Sequence, residues 1–238
     1  MATLAPGVML AQEATEITRK VQPFTRVIAS PRVNLILKEG DEESVRLVYH
    51  RVDAEKINIE VRGKTLRLFL DDARVTEKLH RVSRWEKRSV YEDVSVTAYV
   101  TYRQLKHIEV RGRQELTVLS PIHAEKFKLK AYGQNEITFA SLKVGYLKTH
   151  LFGENKLTVS GGRVDYQKYK LFGENRINTE ELKSYTTVAT IYGESKVRLN
   201  IQDQLRVNSF GESQVSYNGD ADVSRGLIFG RTEIRKLN

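Results

Sequence analysis

Five histidines, a few acidic residues and one basic stretch are the first places to look for chemistry. His50, His80, His107, His123 and His150 stand far apart, without the close pairing that puts two imidazoles on one metal ion. None lies in a nucleophile–base motif. Asp220 and Asp222 form a same-face pair near the end of the chain, reading as a terminal turn, while Asp165 and Asp203 are isolated. Glycosidic cleavage needs two carboxylates held across a cleft. The paired-aspartate, Gly-His-Gly and Arg-x-Lys patterns of pectin-degrading solenoids do not occur here. The chain has no Walker loop and no dinucleotide fingerprint, and with 0 Cys it forms no disulfide and does no thiol chemistry. The expectation is no catalytic residue, no metal ligand and no cofactor.

Binding chemistry is better represented. Seven short stretches centre on a glycine: VRGRQEL, AYGQNEI, LFGENKL, LFGENRI, IYGESKV, SFGESQV and IFGRTEI. Immediately before these glycines stand Arg111, Tyr132, Phe152, Phe172, Tyr192, Phe210 and Phe229, six of them aromatic. Strict alternation puts this column outward. An exposed strip of that kind marks a contact surface for a ligand or partner; a bend that turns the rings inward, or a covering segment, would make them core instead. The second candidate lies at 71–93. Six Lys or Arg against two Glu fall between Arg74 and Arg88, with the only Trp, Trp85, beside Arg81 and Arg84. It reads either as a basic amphipathic helix for a membrane surface or partner, or as a charged loop or extended hairpin. The candidate ligand-binding residues are therefore Tyr132, Phe152, Phe172, Tyr192, Phe210, Phe229, Trp85, Arg81 and Arg84.

These residues must be positioned by a repeat. The glycines are Gly112, Gly133, Gly153, Gly173, Gly193, Gly211 and Gly230, with successive differences of 21, 20, 20, 20, 18 and 19. Four places after each glycine the residue is Leu, Ile or Val; two places after it come Gln114, Asn135, Asn155, Asn175, Ser195, Ser213 and Thr232. Period-two alternation signals strands with one buried face. About 20 residues are too few for a parallel βαβ unit, which takes roughly 30. They suffice for one coil of a β-solenoid, stacked on the next at about 4.8 Å. The glycines then occupy a bend, and Asn135, Asn155 and Asn175 form an amide ladder. Glu154, Glu174, Glu194 and Glu212 stack as like charges, offset by Lys156, Arg176 and Lys196; a solvated face, or less simply a calcium-binding row, accounts for them. His150 shares a column with Lys130 and Lys170 and reads as a solvated outward side chain.

The predicted fold class is all-β: a single-stranded right-handed β-solenoid with rungs of about 20 residues over 111–238. It continues from an irregular N-terminal β-region over 23–110. Residues 1–22 read as a leader remnant or disordered tail, since Leu4 to Leu10 is mildly apolar and Val8–Ala11 suits a small-residue cleavage site. VRGKTL at 61–66 echoes the repeat as an early rung or a hairpin. No run of 18 apolar residues offers a membrane span. The net charge of +9 points to anionic partners such as acidic polysaccharide, lipopolysaccharide or a membrane surface. The charges are dispersed and no nucleic-acid motif occurs, so no nucleic acid is expected as a partner.

FTRVIASPRVNLIL, INIEVRGKTLRLFL and VSVTAYVTYRQLKHIEVRG, followed by the glycine-centred repeats, together resemble the auto-transporter adhesin head GIN family over roughly 24–238. That resemblance implies a β-solenoid that is secreted, periplasmic or at the surface of a Bacteroidetes-type cell. It brings no catalytic residues to carry over. Three functions follow as expectations. The first is a non-enzymatic adhesin-like binding or scaffold protein presenting its repetitive surface to polysaccharide or another cell-surface component. The others are a polysaccharide lyase or hydrolase on a β-helix, and a self-assembling homo-oligomer.

Overall fold

A computed structural model describes residues 14–237. The chain is a β-solenoid of about six turns with rungs of roughly 20 residues. Its strands begin with β1 (Thr15–Lys20), β2 (Arg26–Ala29), β3 (Val33–Glu39) and β4 (Ser44–His50), then a 3-10 turn at Ala54–Lys56. They continue as β5 (Ile57–Arg62), β6 (Thr65–Leu70), β7 (Leu79–Arg81), β8 (Lys87–Ser89) and β9 (Ser95–Tyr102). The long coils follow: β10 (His107–Val118), β11 (Ile122–Phe139), β12 (Leu142–Val159), β13 (Gly162–Tyr192) and β14 (Ser195–Phe210). The last coil is made by β15 (Ser213–Asn218), β16 (Asp222–Phe229) and β17 (Thr232–Lys236).

Each coil from β10 onward pairs in parallel with the next, glycine over glycine: Gly112 with Gly133, Gly133 with Gly153, Gly153 with Gly173. The bend requires this residue. At Gly153 the backbone sits at φ +104°, where side chains are disfavoured, and an added Cβ would lie 2.3 Å from the carbonyl oxygen of Gly133. Inward columns such as Ala131–Leu151–Leu171 and Ile137–Leu157–Ile177–Val197–Val215 are all buried. Burial of each Leu or Ile contributes roughly 1.5–3 kcal/mol, and their stacking supplies one continuous core.

The N-terminal region is more regular than its sequence reads. β2 and β3 pair in parallel with β10, Ala29 against Val110 and Leu35 against Leu116. Thus 26–39 is already a coil, with Pro31 packed beneath Gly112 in place of a glycine, and Arg32 at φ +70° completing the bend. VRGKTL takes the hairpin alternative. β5 and β6 are antiparallel around Gly63 and Lys64 at φ +52° and +59°, the conformation of a type I′ turn. β4 and β1 add antiparallel strands to β9, so the parallel stack ends in a cap. β1 lies inside the stretch read as leader or tail, so residues 15–20 are ordered strand; residues 1–13 of that reading fall outside the described residues.

Candidate functional site

The aromatic column faces outward. Leu151 and Leu171 are buried, and the rings one place along lie on the opposite face, only half-buried. Each ring lies flat on the next. Tyr132–Phe152, Phe152–Phe172, Phe172–Tyr192, Tyr192–Phe210 and Phe210–Phe229 stack at 4.8–5.3 Å between centroids with planes within 15°. The inward and covered readings therefore both fail: the rings are shielded by one another. The spacing follows from the coil repeat. A consequence is that the interior rings show their edges to solvent. Phe229, at the end of the ladder, keeps one face free of aromatic neighbours and is 60% exposed.

The basic stretch is a hairpin, not a helix. β7 and β8 pair antiparallel, with Val82 and Ser83 bonded back to Glu86 at the tip. Trp85 sits in that tip, 87% exposed, with the Arg84 guanidinium 5.3 Å over its ring; Arg81 is also exposed. The base is anchored: Arg32 pairs with Glu77 at 2.7 Å, the Ser30 hydroxyl donates to the Arg74 carbonyl at 2.6 Å, and the Tyr91 hydroxyl donates to the Asp71 carbonyl at 2.7 Å. This root brings the hairpin beside the first ring of the ladder. Pro31, Val75, Leu79, Arg111, Gly112 and Tyr132 line one cleft of about 610 Å³ between them. The two candidate contact elements, separate in sequence, thus meet at one end of the column.

Extending the outward columns upstream of the glycine adds residues that the repeat phrase does not include. Lys128, Lys148 and Lys168 are in register, as are Lys130, His150 and Lys170, all half-buried. Beyond them Tyr146 and Tyr166 stack at 5.2 Å. On this outer sheet face two rows made of five lysines and His150 therefore lie between two aromatic rails. The spacing shows it in the sequence: Lys128, Lys148 and Lys168 stand five places before Gly133, Gly153 and Gly173, and Lys130 and Lys170 three places before Gly133 and Gly173. His150 is not the solvated side chain its column implied. Burial, then Lys148, Lys128, Lys170 and Lys130, press its pKa down to about 4, and its Nε2 is buried without a partner. His107 falls to about 4 through burial, against the opposing charge of Glu109, with smaller contributions from Lys128, Lys130 and Arg26. Glu109 is buried at the head of the row, 2.5 Å from Arg111 and 3.7 Å from Lys130.

The face beyond the bend carries charges of both signs. Lys156 pairs with Glu136 of the preceding coil at 2.6 Å, rather than with the Glu154 of its own. Gln134 accepts from Arg113 and donates to Glu154, linking three coils. The predicted amide ladder forms: Asn135 donates to Asn155 at 2.8 Å and Asn155 to Asn175 at 3.1 Å. Asp220 pairs with Lys236 at 2.9 Å. Among the described residues no group of three or more His, Asp or Glu is arranged to hold a metal ion, and no helix is long and apolar enough to cross a membrane.

A coil with one bend glycine per turn and outward-stacked rings defines a β-solenoid repeat protein with a laddered outer face. Within that class, the chain belongs to the family described as "Putative auto-transporter adhesin, head GIN domain", whose model matches residues 23–221. Among solved structures it is similar to a "putative adhesin" of Parabacteroides merdae, at 12% identity and TM-score 0.70, with 96% of this chain and 98% of that one covered. A "putative adhesin" of Bacteroides fragilis gives 15% identity and TM-score 0.70 over 97% and 100%. A "Putative lipid binding protein" of Parabacteroides distasonis gives 13% and 0.66 over 96% and 98%. At these identities the likeness is one of fold. No curated protein matches the chain.

Proposed function

We propose that the protein is a non-enzymatic, adhesin-like binding protein, secreted or held in the cell envelope, that presents its laddered outer face to polysaccharide. The observation that carries this reading is the outward aromatic ladder. A row of apolar side chains repeated at every coil suits a partner that is itself repetitive. The family description supports the envelope placement and the binding role. Ring faces are available for sugar stacking at Phe229, while the interior rings offer their edges. The Trp85 hairpin, beside the other end of the ladder, supplies a second contact through Arg81, Arg84 and Trp85.

The test is binding to a glycan array by wild type beside Phe152→Ser/Phe172→Ser, with circular dichroism to establish that both are folded. Selective binding lost by the folded variant is the expected result. Binding unchanged in that variant overturns the ladder as the site, and substitution of Trp85, Arg81 and Arg84 then tests the hairpin. A second reading, homo-oligomerisation, is favoured by the exposure of Leu227 and Phe229 on the last coil, 61% and 60%. A monomeric sedimentation coefficient at all concentrations would rule it out.

A further inference from the structure

The paired lysine columns are expensive to keep. Lys128, Lys148 and Lys168 stack as like charges in register, as do Lys130 and Lys170 across His150. Like charges directly opposite destabilise a sheet. The second outer face offsets such repulsion with a carboxylate two places before each cation, Glu154 with Lys156, Glu174 with Arg176 and Glu194 with Lys196, and Lys156 also pairs with Glu136 of the preceding coil. On the first face the lysine columns have a single such partner. Glu109 serves Arg111 and Lys130. Among the described residues no carboxylate lies within 4 Å of Lys128, Lys148, Lys168 or Lys170. Burial lowers the pKa of Lys128, with Lys130 and Lys148 adding to it. An anion laid along these rows would relieve all of these costs together.

The flanks say what shape of anion fits. Tyr146–Tyr166 border the lysines on one side and Tyr132–Phe152–Phe172 on the other. Between the rails the lysines are half-buried, and the columns repeat along the axis at about 4.8 Å. A straight strip with aromatic edges and cations repeated along one axis matches a linear chain that carries its charges at regular intervals. We propose that Lys128, Lys130, Lys148, Lys168 and Lys170 form a binding site for an acidic polysaccharide bearing regularly spaced carboxylate or sulfate groups. This rests on the polysaccharide-binding reading and names its ligand class.

The test is calorimetric titration with dextran sulfate, polygalacturonate and uncharged dextran, on wild type and two folded triple variants. Lys148→Gln/Lys168→Gln/Lys170→Gln removes three charges from this face; Lys156→Gln/Arg176→Gln/Lys196→Gln removes three from the other. The expectation is salt-sensitive binding of the two polyanions, weakened at least tenfold by the first variant and less than threefold by the second. Equal losses in both would reduce the effect to net charge and overturn the site. Binding to phosphatidylglycerol vesicles but not to either polyanion, lost in the first variant, would assign the cations to a lipid headgroup and overturn the polysaccharide. If uncharged glycans bind while polyanions do not, this inference falls and the ladder reading stands; if no glycan binds, both fall. Should the first triple variant unfold, Lys148→Gln alone, with a smaller loss of the same sign, serves in its place.

Discussion

The carbonyl oxygen of Gly133 lies 2.3 Å from where a Cβ on Gly153 would stand. The obstruction is backbone, held by hydrogen bonds on both sides, so it cannot swing aside as a side chain could. The same contact recurs up the column, at 2.6 Å for Gly173 and 2.7 Å for Gly193.

Gly153→Ala should therefore destabilise the protein heavily. The positive φ alone costs on the order of 1–3 kcal/mol, and the clash adds to it. Gly63→Ala, also at positive φ but with nothing within 4 Å of the added carbon, should cost only the conformational part. Urea unfolding of both variants checks the ranking; equal losses would mean that the close approach of coils is not what selects glycine.

Asn155 stands in the middle of the amide ladder, bonded to Asn135 below and Asn175 above. Asn155→Leu should cost more than the loss of one bond. It leaves an Asn135 N–H and the Asn175 Oδ1 without their buried partners, each at roughly 1–3 kcal/mol, although both amides still donate to the Tyr132 and Phe172 carbonyls. Replacing all three by Leu should be milder per site than the single change, because no amide is left half-paired. Denaturant midpoints for the single and triple variants decide this.

The ladder should also be graded along its length. Phe172 is stacked on both faces, by Phe152 and Tyr192, and such pairs contribute roughly 0.5–1.5 kcal/mol each. Phe172→Ala should lower stability by about 1–3 kcal/mol. Phe229→Ala, with one stacking partner and 60% exposure, should lower it by less than half as much. Thermal melts of the two would show it.

His107 and His150 have folded pKa values near 4 against an ordinary 6.5. The folded state thus favours the neutral ring. Their contribution to stability is complete above about pH 6.5 and is lost as the pH falls toward 4. Burial is the first cause for both. Lysines follow for His150, whereas at His107 Glu109 opposes the shift while Lys128, Lys130 and Arg26 add to it. Nitrogen chemical shifts should report both imidazoles neutral at pH 6. The stability of wild type relative to His150→Gln should decline between pH 7 and pH 5; a flat difference would contradict the shift.

Much of this fold is legible from the glycine phrase, because a fixed period with alternating polarity leaves few ways to bury its apolar columns. Strict alternation also places Phe152 and Phe172 outward correctly. What alternation does not carry is how they are shielded, since ring-on-ring stacking depends on neighbours 20 residues away. Pro31 escaped the pattern because the bend can be built by a proline and a positive-φ arginine as well as by glycine. The Lys148 row is hard to read for a different reason. It lies upstream of the glycine phrase, and its partners come from other coils. At Trp85 the sequence offers both a charged hairpin and a basic helix, because so short a stretch also fits a helical face, and the hairpin is the one formed.

The unbroken glycine register also sets the units in which the molecule can change length. A coil duplicated or deleted whole leaves every column aligned, adding or removing about 4.8 Å of axis together with one ring of the ladder. A change of one or two residues has to be taken up where the columns can tolerate it, as in the irregular stretch between Thr179 and Thr186 of β13; inside a regular strand it would turn the following residues off their faces. The reach of the molecule is thus quantised, and its length can vary among relatives as a ruler does, by whole divisions.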